Sequence, residues 1–497
     1  MKWANFLHFY QPANQQPDIL EAIVVQSYGP IIEGIKKNNK VRLTINISGA
    51  LLELLHKYGY KNLIEDLRNL VAENRIEITG SAKYHALLPL LSDEEIIRQI
   101  ELNTEILKSF LGENYTPNGF FSPEMAYDER IGKIIEKLGF KWIILDEISC
   151  GGEVGRVDYS QIYKLSGTNL KVFFRNRRLS NLIMSAVVRS RDTLLEAMKD
   201  ELNKDHYIIT AMDAETFGHH RPGLEKMLFE IFNTEEFELI QVRDIEKFYK
   251  EKKEIAPARA TWASSKEDIE NNIQFLSWDD PENIIHKWQW GFTKLVLNEV
   301  YGMNKTHSRY SIVRGKMDIA LSSDHFWWAS AKPWWSLEMI EYGAYSLLDT
   351  LKHIPEVEKN IIEEGRDFYE KIITTAFNWQ RTGKIRAMMQ SQKNILRIPF
   401  KDRTIGKGAG EEGVYFAFID MMKRLEKEAI EKHEYEKAIL WRDAIYKLEN
   451  KLDIYDTINA IDLLRVEIPH KEIEDTIEKY KIKYYEIRGG QPEQRGS

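Results

Sequence analysis

Over the first 250 residues, short apolar segments alternate with amphipathic ones, and this alternation constrains the fold more than any other feature. The apolar segments have the length and the β-branched and aromatic content of strands. They are 3–9, 41–47, 75–79, 118–121, 141–145, 206–211 and 237–240. Helical spacing follows most of them, as over 51–73, 128–138 and 192–202. Because strands that alternate with helices form βα units, we expect an α/β fold with a parallel sheet or barrel.

Two further patterns complete the outline of the chain. Residues 171–178 and their neighbours predict an inserted hairpin. Beyond about residue 255, apolar residues at spacings of three and four predict long helices, and no strand pattern follows residue 260. The expected domains are a barrel over 1–255, a helical subdomain over 256–403 and C-terminal helices over 414–487, with a glycine-rich link at 404–413 and a disordered tail over 488–497.

Composition excludes several classes of function. The formal net charge of −8 over 497 residues gives no basic surface for nucleic acid or an anionic membrane. No stretch approaches the roughly 20 apolar residues that span a bilayer. The chain has one cysteine, Cys150, so it cannot form an intrachain disulfide. These features predict a cytoplasmic protein that binds neither nucleic acid nor a membrane.

Polar side chains at the ends of the predicted strands are the candidate functional residues. In barrels and doubly wound sheets, catalytic groups gather at the carboxyl ends of the strands. The residues at these positions are His8, Tyr10, Gln11, Ser81, Tyr84, His85, Glu124, Asp146, Glu147, Asp213, Glu215, His219 and His220.

Two carboxylates occupy equivalent positions in this set. In the segment GFFSPEMAYD, Pro123 cannot donate to a sheet ladder, so the strand should stop just before Glu124. Asp213 follows the apolar strand 206–211 almost at once. Two carboxylates that face one cleft are the minimum apparatus for glycoside hydrolysis, although a carboxylate at a strand end often only caps the next helix.

The histidines allow another reading. A zinc site could combine His8, His85 and Asp213 with either His219 or His220, as in deacetylase-like barrels. No spacing among these residues is diagnostic for zinc, and histidines in a polar cleft more often hold substrate hydroxyl groups. We therefore predict neither a metal nor another cofactor.

Five motifs in order resemble the conserved regions of glycoside hydrolase family 57, which contains α-amylases, amylopullulanases, 4-α-glucanotransferases and branching enzymes. They are HFYQP at 8–12, ITGSAKYHALLPLL at 78–91, GFFSPEMAYD at 119–128, MDAETFGHHRPG at 212–223 and ALSSDHFWWAS at 320–330. The resemblance covers roughly residues 1–400. It implies an incomplete (β/α)7 barrel followed by an all-helical subdomain that closes the cleft.

The resemblance also implies roles for individual residues. Glu124 matches the family nucleophile, and Asp213 matches the general acid/base of a retaining mechanism. The predicted substrate-binding residues are His8, Gln11, His85, Glu215, His219, Asp324, Trp327 and Trp328. The implied partner is an α-glucan polysaccharide or a maltooligosaccharide.

One position departs from the family pattern. The first motif usually contains His-Gln-Pro, and Tyr10 replaces that histidine. The sequence DHFWW at 324–328 is closer to the amylolytic hydrolases than to the branching enzymes. We therefore expect cleavage of α-1,4-glucosidic bonds of the α-amylase type. A 4-α-glucanotransferase, a branching enzyme and an inactive carbohydrate-binding or regulatory scaffold are the alternatives.

A second resemblance lies in the C-terminal helices. Residues 425–452 look like the UVR helical hairpin of excision-repair proteins, through Tyr435, Glu436, Ala438, Arg442, Asp443 and Leu448. Such a hairpin would bind a protein partner or pair with a second copy of itself. A generic charged helical hairpin with ion pairs between residues four apart fits the same segment.

Overall fold

A computed structural model shows the arrangement of the chain. It describes residues 1–390 except 187, 251 and 333, residues 410–449, and residues 463–464, 467–469, 472–473, 475–477 and 479–480. The predicted tail at 488–497 and residues 391–403 of the expected helical subdomain lie outside the described residues. Among the described residues, no helix combines the length and apolar content that a membrane span requires.

The strands of the described residues form two sheets. The strands are β1 (Lys2–Phe9), β2 (Leu43–Ile47), β3 (Ile76–Ile78), β4 (Gly119–Phe121), β5 (Trp142–Asp146), β6 (Ile162–Leu165), β7 (Lys171–Arg175), β8 (Tyr207–Asp213), β9 (Glu238–Leu239) and β10 (Lys252–Ile255). The first sheet has the order β3-β2-β1-β8, with β9 also paired to β1, and the second has the order β10-β6-β7-β5-β4. Every strand pair is parallel except β6 with β7. The α/β class predicted from the alternating pattern is confirmed.

Two local contacts join the sheets. Gly80, just beyond β3, forms a parallel bridge with Phe120 of β4. At the other side, the backbone N–H group of Asn176, just after β7, donates to the carbonyl oxygen of Ile209 in β8 at 2.6 Å. The carboxyl ends of strands from both sheets therefore meet along one connected edge.

Helices follow most strands and then fill the second part of the chain. They are α1 (Pro17–Ile23), α2 (Gly29–Lys37), α3 (Gly49–Lys57), α4 (Lys61–Ala72), α5 (Asp93–Leu111), α6 (Glu129–Lys137), α7 (Arg177–Met184), α8 (Arg191–Ala197), α9 (Lys199–Leu202), α10 (Leu224–Phe232), α11 (Ile245–Phe248), α12 (Lys266–Glu270), α13 (Ile284–Gly302), α14 (Tyr310–Ala320), α15 (Asp324–Trp327), α16 (Leu337–His353), α17 (Lys359–Thr382), α18 (Lys384–Gln390), α19 (Gly410–Glu431) and α20 (Tyr435–Glu449). A π-helical turn, Val24–Tyr28, joins α1 to α2, and short 3₁₀ turns lie at Leu88–Leu90, Pro123–Met125, Glu147–Ser149, Ala214–Thr216 and Val242–Asp244.

Side-chain caps explain where several of these helices begin. The side chains of Ser48, Ser92 and Asp128 accept hydrogen bonds from the backbone N–H groups three residues further on, at the starts of α3, α5 and α6. Such N-caps satisfy an N–H group that the helix itself cannot pair. Asp128, four residues after Glu124, is thus a carboxylate with a structural role, because it caps α6 and also pairs with Arg130 at 3.0 Å.

The predicted hairpin differs in part from the structure. β6 and β7 do form an antiparallel hairpin, which confirms that expectation. The hairpin is not a mere insertion, however, because β7 also pairs with β5 in parallel over Trp142–Asp146. β7 therefore has a partner strand on each side, β5 and β6. Its side chains Val172 and Phe174 are fully buried.

Two other boundaries differ from the sequence prediction. The helical stretch 51–73 is two helices, α3 and α4, because the chain turns at Gly59, whose φ of 90° is readily adopted only by glycine. Helix α19 begins at Gly410, inside the segment predicted as a glycine-rich link.

The chain divides into two compact units. The first comprises 1–216 and 226–397, and the second comprises 217–225 and 398–497. In the first unit, one apolar core contains Ile143 of β5 and Ile135 of α6 together with Phe292, Met317 and Leu347 of the later helices. The strands and the helices α13, α14 and α16 therefore contribute side chains to one hydrophobic core.

The second unit has a core of its own. Helices α19 and α20 pack against each other through side chains that include Met422, Trp441 and Ile445. Only three residues, 432–434, separate the two helices, as expected for an antiparallel hairpin. Helices α19 and α20 cover the segment of the predicted hairpin, 425–452, as far as Glu449, and the UVR-like hairpin stays a prediction.

Candidate active site

Glu124 projects from a strained turn at the end of β4. The strand ends at Phe121, and the 3₁₀ turn Pro123–Met125 follows. Glu124 has a φ of 60°, in the left-handed region that residues other than glycine rarely adopt. Its side chain is 18% exposed. A strained backbone around a carboxylate in a cleft is typical of functional sites, where neighbouring contacts hold the residue in place.

Asp213 ends β8, directly beside His8. The register of the parallel pair β1 and β8 places His8 opposite Asp213. The 3₁₀ turn Ala214–Thr216 follows, and Ser27 fixes it by donating to the carbonyl oxygen of Ala214 at 2.8 Å. Asp213 keeps part of its surface accessible, so it can reach a bound molecule.

A chain of hydrogen bonds through His8 and His85 lies between the two carboxylates. Asn46 uses its amide nitrogen on Thr79, so its oxygen faces Nδ1 of His8 at 2.8 Å and this nitrogen is the donor. His8 Nε2 then accepts from Nε2–H of His85 at 3.2 Å. Nδ1 of His85 in turn accepts from the hydroxyl group of Ser323 at 3.1 Å. Both imidazoles are therefore neutral in this arrangement.

Burial supports the neutral form of these histidines. It lowers the pKa of His8 to about 4 and lowers the pKa of His85 well below its ordinary value. Oε1 of Glu124 lies 4.0 Å from Nδ1 of His85. With a neutral imidazole this approach is not an ion pair. His85 also has a positive φ, of 55°, so two strained residues face each other in the site.

Glu215 is buried beside Asp213 and is held by two neutral donors. The Tyr28 hydroxyl group and Nε2 of Gln11 both donate to Oε1 of Glu215, the latter at 2.9 Å. Burial, followed by the charge of Asp213, raises the pKa of Glu215. Gln11 and Glu215 thus act as a pair, and they bring the first motif next to the fourth.

Asp324 faces the same cleft from the helical part of the first unit. It begins α15 and accepts hydrogen bonds from the hydroxyl groups of Tyr10, at 2.5 Å, and of Ser322. The Tyr10 ring stacks on His85 with the ring centroids 4.0 Å apart. Burial, and then the charge of Asp324, raises the pKa of Tyr10 well above its ordinary value, so Tyr10 is a neutral donor.

Burial and neighbouring charges raise the pKa values of the carboxyl groups of the site. Burial raises the pKa of Glu124 to about 8, and the charges of Asp213 and Asp324 add to this effect. Burial also raises the pKa of Asp213, while Arg175 opposes the rise. Near neutral pH these raised values keep a proton among the carboxyl groups of the site, and general acid catalysis requires such a proton.

Aromatic rings and a recess extend the site around Asp324. Trp327 and Trp328 are half-buried, with ring centroids 4.9 Å apart, and Trp327 stacks on Trp334 at 4.8 Å. A small recess opens next to Asp324, and its lining includes Tyr84. Aromatic rings beside polar groups suit contact with a sugar ring.

His219 belongs to the segment 217–225, which groups with the C-terminal residues in the second compact unit. Its predicted contact with substrate stays a prediction.

The zinc alternative needed His8 and His85, whose ring nitrogens are already engaged with Asn46, with each other and with Ser323. The described residues contain no group of three or more His, Cys, Asp or Glu side chains suited to a metal ion.

Asp146 and Glu147, also at a strand end, are held by arginines. Asp146 is fully buried between Arg177, at 2.6 Å, and Arg175, at 3.3 Å. Glu147 accepts from the hydroxyl group of Tyr159 at 3.2 Å. Asp146 therefore fixes the two arginine side chains, whereas Glu147 is held by Tyr159 and by the backbone N–H group of Arg177, at 3.2 Å.

Sequence reasoning missed several residues that hold the site, among them Tyr28, Asn46, Arg175, Trp262 and Ser323. Trp262 is the most important of them, because its Nε1–H group donates to Oε2 of Glu124 at 2.7 Å. It lies at the start of the predicted helical subdomain, in a segment without a motif. No signal in the sequence, which has 12 tryptophans, singles out Trp262.

Comparison with known proteins identifies a family to which part of this chain is similar. Residues 23–257 match the model of Glycosyl hydrolase family 57. Alpha-amylase from Pyrococcus horikoshii is 22% identical over 227 residues, which cover 45% of this chain and 35% of that protein. Alpha-amylase 1 from Dictyoglomus thermophilum is 26% identical over 216 residues, 43% of this chain and 31% of that protein. The match thus spans about a third of the length of these relatives.

A transferase and two solved structures are also similar. 4-alpha-glucanotransferase from Thermococcus kodakarensis is 24% identical over 46% of this chain and 35% of its own length. The family GH57 branching enzyme from Thermococcus kodakaraensis superimposes with a TM-score of 0.55 and 17% identity, over 80% of this chain and 94% of that one. The 4-alpha-glucanotransferase from Thermococcus litoralis gives 0.54 and 17%, over 70% and 58%. At these identities the structures show a shared fold.

Proposed function

Since residues 23–257 carry a domain of glycosyl hydrolase family 57, we propose that this chain is a retaining enzyme acting on α-glucans. The proposed reaction is cleavage of α-1,4-glucosidic bonds of the α-amylase type. Glu124 is the nucleophile and Asp213 is the general acid/base. The arrangement that carries the proposal is the pair of carboxylates just beyond β4 and at the end of β8, with the hydrogen-bonded His8 and His85 between them.

In the first step, the ionised carboxylate of Glu124 attacks the anomeric carbon of a glucosyl unit. Protonated Asp213 gives its proton to the glycosidic oxygen, and the bond to the leaving chain breaks. A covalent glycosyl-enzyme forms through an oxocarbenium-like transition state. Asp324, with its two hydroxyl donors, and the Gln11–Glu215 pair would hold the sugar hydroxyl groups around this centre.

In the second step, Asp213 is ionised and acts as a base. It takes a proton from the attacking hydroxyl group while the bond from the anomeric carbon to Glu124 breaks, which frees Glu124 as a carboxylate. Both retention of configuration and the return of each group to its starting protonation follow from the two displacements. If the attacking group is water, the result is hydrolysis. If it is a sugar hydroxyl group, the result is a 4-α-glucanotransferase or a branching enzyme.

The scaffold proposed for this chemistry is an incomplete seven-stranded (β/α) barrel. Strands β8, β1, β2, β3, β4, β5 and β7 would form its wall. The Gly80–Phe120 bridge and the hydrogen bond from Asn176 to Ile209 support closure between the two sheets. Asp324 reaches Tyr10 from α15, so the later helices would serve as the subdomain that covers the cleft.

Product analysis tests the proposed function. Wild-type protein and Glu124→Gln would be incubated with maltoheptaose and with amylose, and both product length and reducing ends would be followed over time. Shorter products with rising reducing ends establish an amylase. Longer chains at constant reducing ends establish a transferase, and new α-1,6 links establish a branching enzyme. No change beyond the Glu124→Gln control, over a range of temperatures, would leave only the binding scaffold.

The C-terminal hairpin is proposed to contact protein and not sugar. On α20, Tyr435, Ile439 and Tyr446 are 58%, 48% and 60% exposed. Their spacings of 4 and 11 residues place them on one face of the helix. An exposed apolar stripe of this kind suits a protein partner or a second copy, as expected for a UVR-like hairpin. Sedimentation of the wild type against Ile439→Lys would detect self-association.

A further inference from the structure

Trp262 holds Glu124 through two hydrogen bonds. Its backbone N–H group donates to the carbonyl oxygen of Glu124 at 3.1 Å, and its indole Nε1–H group donates to Oε2 of Glu124 at 2.7 Å. The first bond fixes the backbone in its left-handed conformation. The second fixes the rotation of the carboxyl group. One residue therefore determines both the position and the orientation of the proposed nucleophile.

The chemistry of the indole group also determines which form of Glu124 it stabilises. An indole N–H group can donate but cannot accept a hydrogen bond. Oε2 must therefore offer a lone pair to Trp262, and a donor of this kind favours the ionised carboxylate. This preference bears directly on the proton that Glu124 and Asp213 share.

The other groups around Glu124 do not supply such a bond. Asp213 and Asp324 are like charges that disfavour ionisation of Glu124. The Tyr10 hydroxyl group already donates to Asp324. The facing nitrogen of His85, Nδ1, accepts from Ser323 and has no proton to give. Trp262 is thus the one side chain among these neighbours that donates to Glu124.

Trp262 is itself held from behind. The guanidinium group of Arg175 lies 5.4 Å from the centre of the indole ring, within the range of a cation–π contact. The edges of the ring contact Phe121 and His8, at centroid distances of 6.0 and 6.3 Å. Arg175 is 2% exposed and is fixed by Asp146. The charge of Arg175 also favours the ionised form of Asp213. Arg175 therefore assists Trp262 only by holding the indole ring.

We propose that Trp262, whose ring Arg175 holds, is a positioning residue that orients Glu124 and stabilises its ionised form, which leaves the proton of the pair to Asp213. This role rests on the proposed function. Trp262 lies outside the region matched by the family model, which ends at residue 257. The productive form of the free enzyme has Glu124 ionised and Asp213 protonated, and the indole bond raises the share of that form.

Trp262→Phe tests the proposal, since it removes the N–H group and keeps an aromatic ring and the backbone bond. Loss of a hydrogen bond to a charged group predicts a fall of about 10- to 100-fold in kcat/KM on maltoheptaose. The reason is that the proton then stays on Glu124. Because the last proton of the pair becomes harder to remove, the basic limb of the pH profile moves up by about one pH unit. Most of the loss lies in kcat.

Trp335→Phe is the matched control. Trp335 also uses its indole N–H group on a side-chain oxygen, that of Gln380 at 2.9 Å, and it has no part in the proposed machinery. This variant is expected to keep both the rate and the pH limbs of the wild type. Arg175→Lys is the second variant, since it keeps a cation beside Asp146 but removes the planar group behind the indole ring. Its expected effect has the same direction as that of Trp262→Phe and is smaller.

The outcomes separate this inference from the proposed function. An active wild type whose Trp262→Phe variant changes only KM, with the pH limbs unmoved, would make Trp262 a substrate contact and overturn the inference alone. A wild type without activity on any α-glucan would overturn the proposed function and this inference with it. If Trp262→Phe does not fold, as judged by its thermal melt, unchanged kcat and pH limbs in Arg175→Lys would overturn the inference.

Discussion

The hydroxyl group of Tyr10 donates a 2.5 Å hydrogen bond to Oδ2 of Asp324, across 314 positions of sequence. It joins the end of β1 to the start of α15, and the Tyr10 ring stacks on His85 beneath. The family motif usually has histidine at position 10. A tyrosine supplies a donor that stays neutral over the pH range where the carboxylates titrate, so only the protonation of Asp324 itself changes this contact with pH.

Tyr10→Phe should weaken substrate binding more than chemistry. The ring remains stacked on His85, but Asp324 loses one of its two hydroxyl donors and is no longer fixed. Loss of a hydrogen bond to a charged group costs about 1.5 to 3 kcal/mol, so KM for maltoheptaose should rise by roughly tenfold or more. Tyr301→Phe is the matched control, because Tyr301 donates to Glu95 at 2.8 Å. Equal KM values in wild type and Tyr10→Phe would show that Asp324 is held without Tyr10.

Asp213→Asn should show a strong dependence on the leaving group. With maltoheptaose, whose leaving oxygen needs a proton, we expect a loss of about 10²- to 10⁴-fold in kcat. With an α-maltosyl fluoride, which needs no acid, the first step should be nearly normal. The glycosyl-enzyme should then accumulate because its hydrolysis lacks a base. Rates that fall equally for both substrates would remove Asp213 from the acid/base role.

The activity should follow a bell-shaped pH profile. Burial raises the pKa of Glu124 to about 8 and also raises the pKa of Asp213. The pair carries its one required proton between its two macroscopic pKa values. The acidic limb of kcat/KM should therefore lie above the ordinary range of a carboxyl group, and the basic limb should lie near pH 8. Full activity maintained down to pH 4 would contradict the shared-proton account.

Glu124→Gln should stabilise the fold more at high pH than at low pH. The folded-state pKa of Glu124 is raised from its ordinary value of 4.5 to about 8. A raised carboxyl pKa means that stability present below about pH 4.5 is lost as the pH rises towards 8. Glutamine does not titrate, so the variant avoids that loss, which is on the order of a few kcal/mol. Thermal melts should show a difference between variant and wild type that grows from pH 5 to pH 8. A constant difference would contradict the raised pKa.

The sequence predicted best those parts of the site that follow from strand ends. Pro123 and the apolar segment before it placed Glu124 just beyond β4, and the apolar strand before Asp213 placed that residue at the end of β8. These are local effects of chain stiffness and hydrophobic patterning, and they can be read from neighbouring residues. The α/β class followed from the same alternation.

The missed residues depend on long-range packing. Trp262 lies 138 positions from Glu124, and Tyr28 lies 187 positions from Glu215. A hydrogen bond at such separations leaves no periodic signal in a single sequence. For the same reason, strand-end position did not separate Asp146, which holds Arg175 and Arg177, from Asp213, which faces the cleft. Likewise, the pairing of β7 with β5 in parallel could not be deduced from its local hairpin.

Covalent trapping tests the central claim most directly. Asp213→Asn would be incubated with an α-maltosyl fluoride, and the intact mass and then the proteolytic peptides would be measured. The account predicts one added maltosyl unit per chain, located at Glu124 in the peptide that contains GFFSPEMAYD, and no added mass in the Glu124→Gln, Asp213→Asn double variant. A sugar attached to any other residue, or an active enzyme that never forms the adduct, would contradict the assignment of Glu124 as the nucleophile.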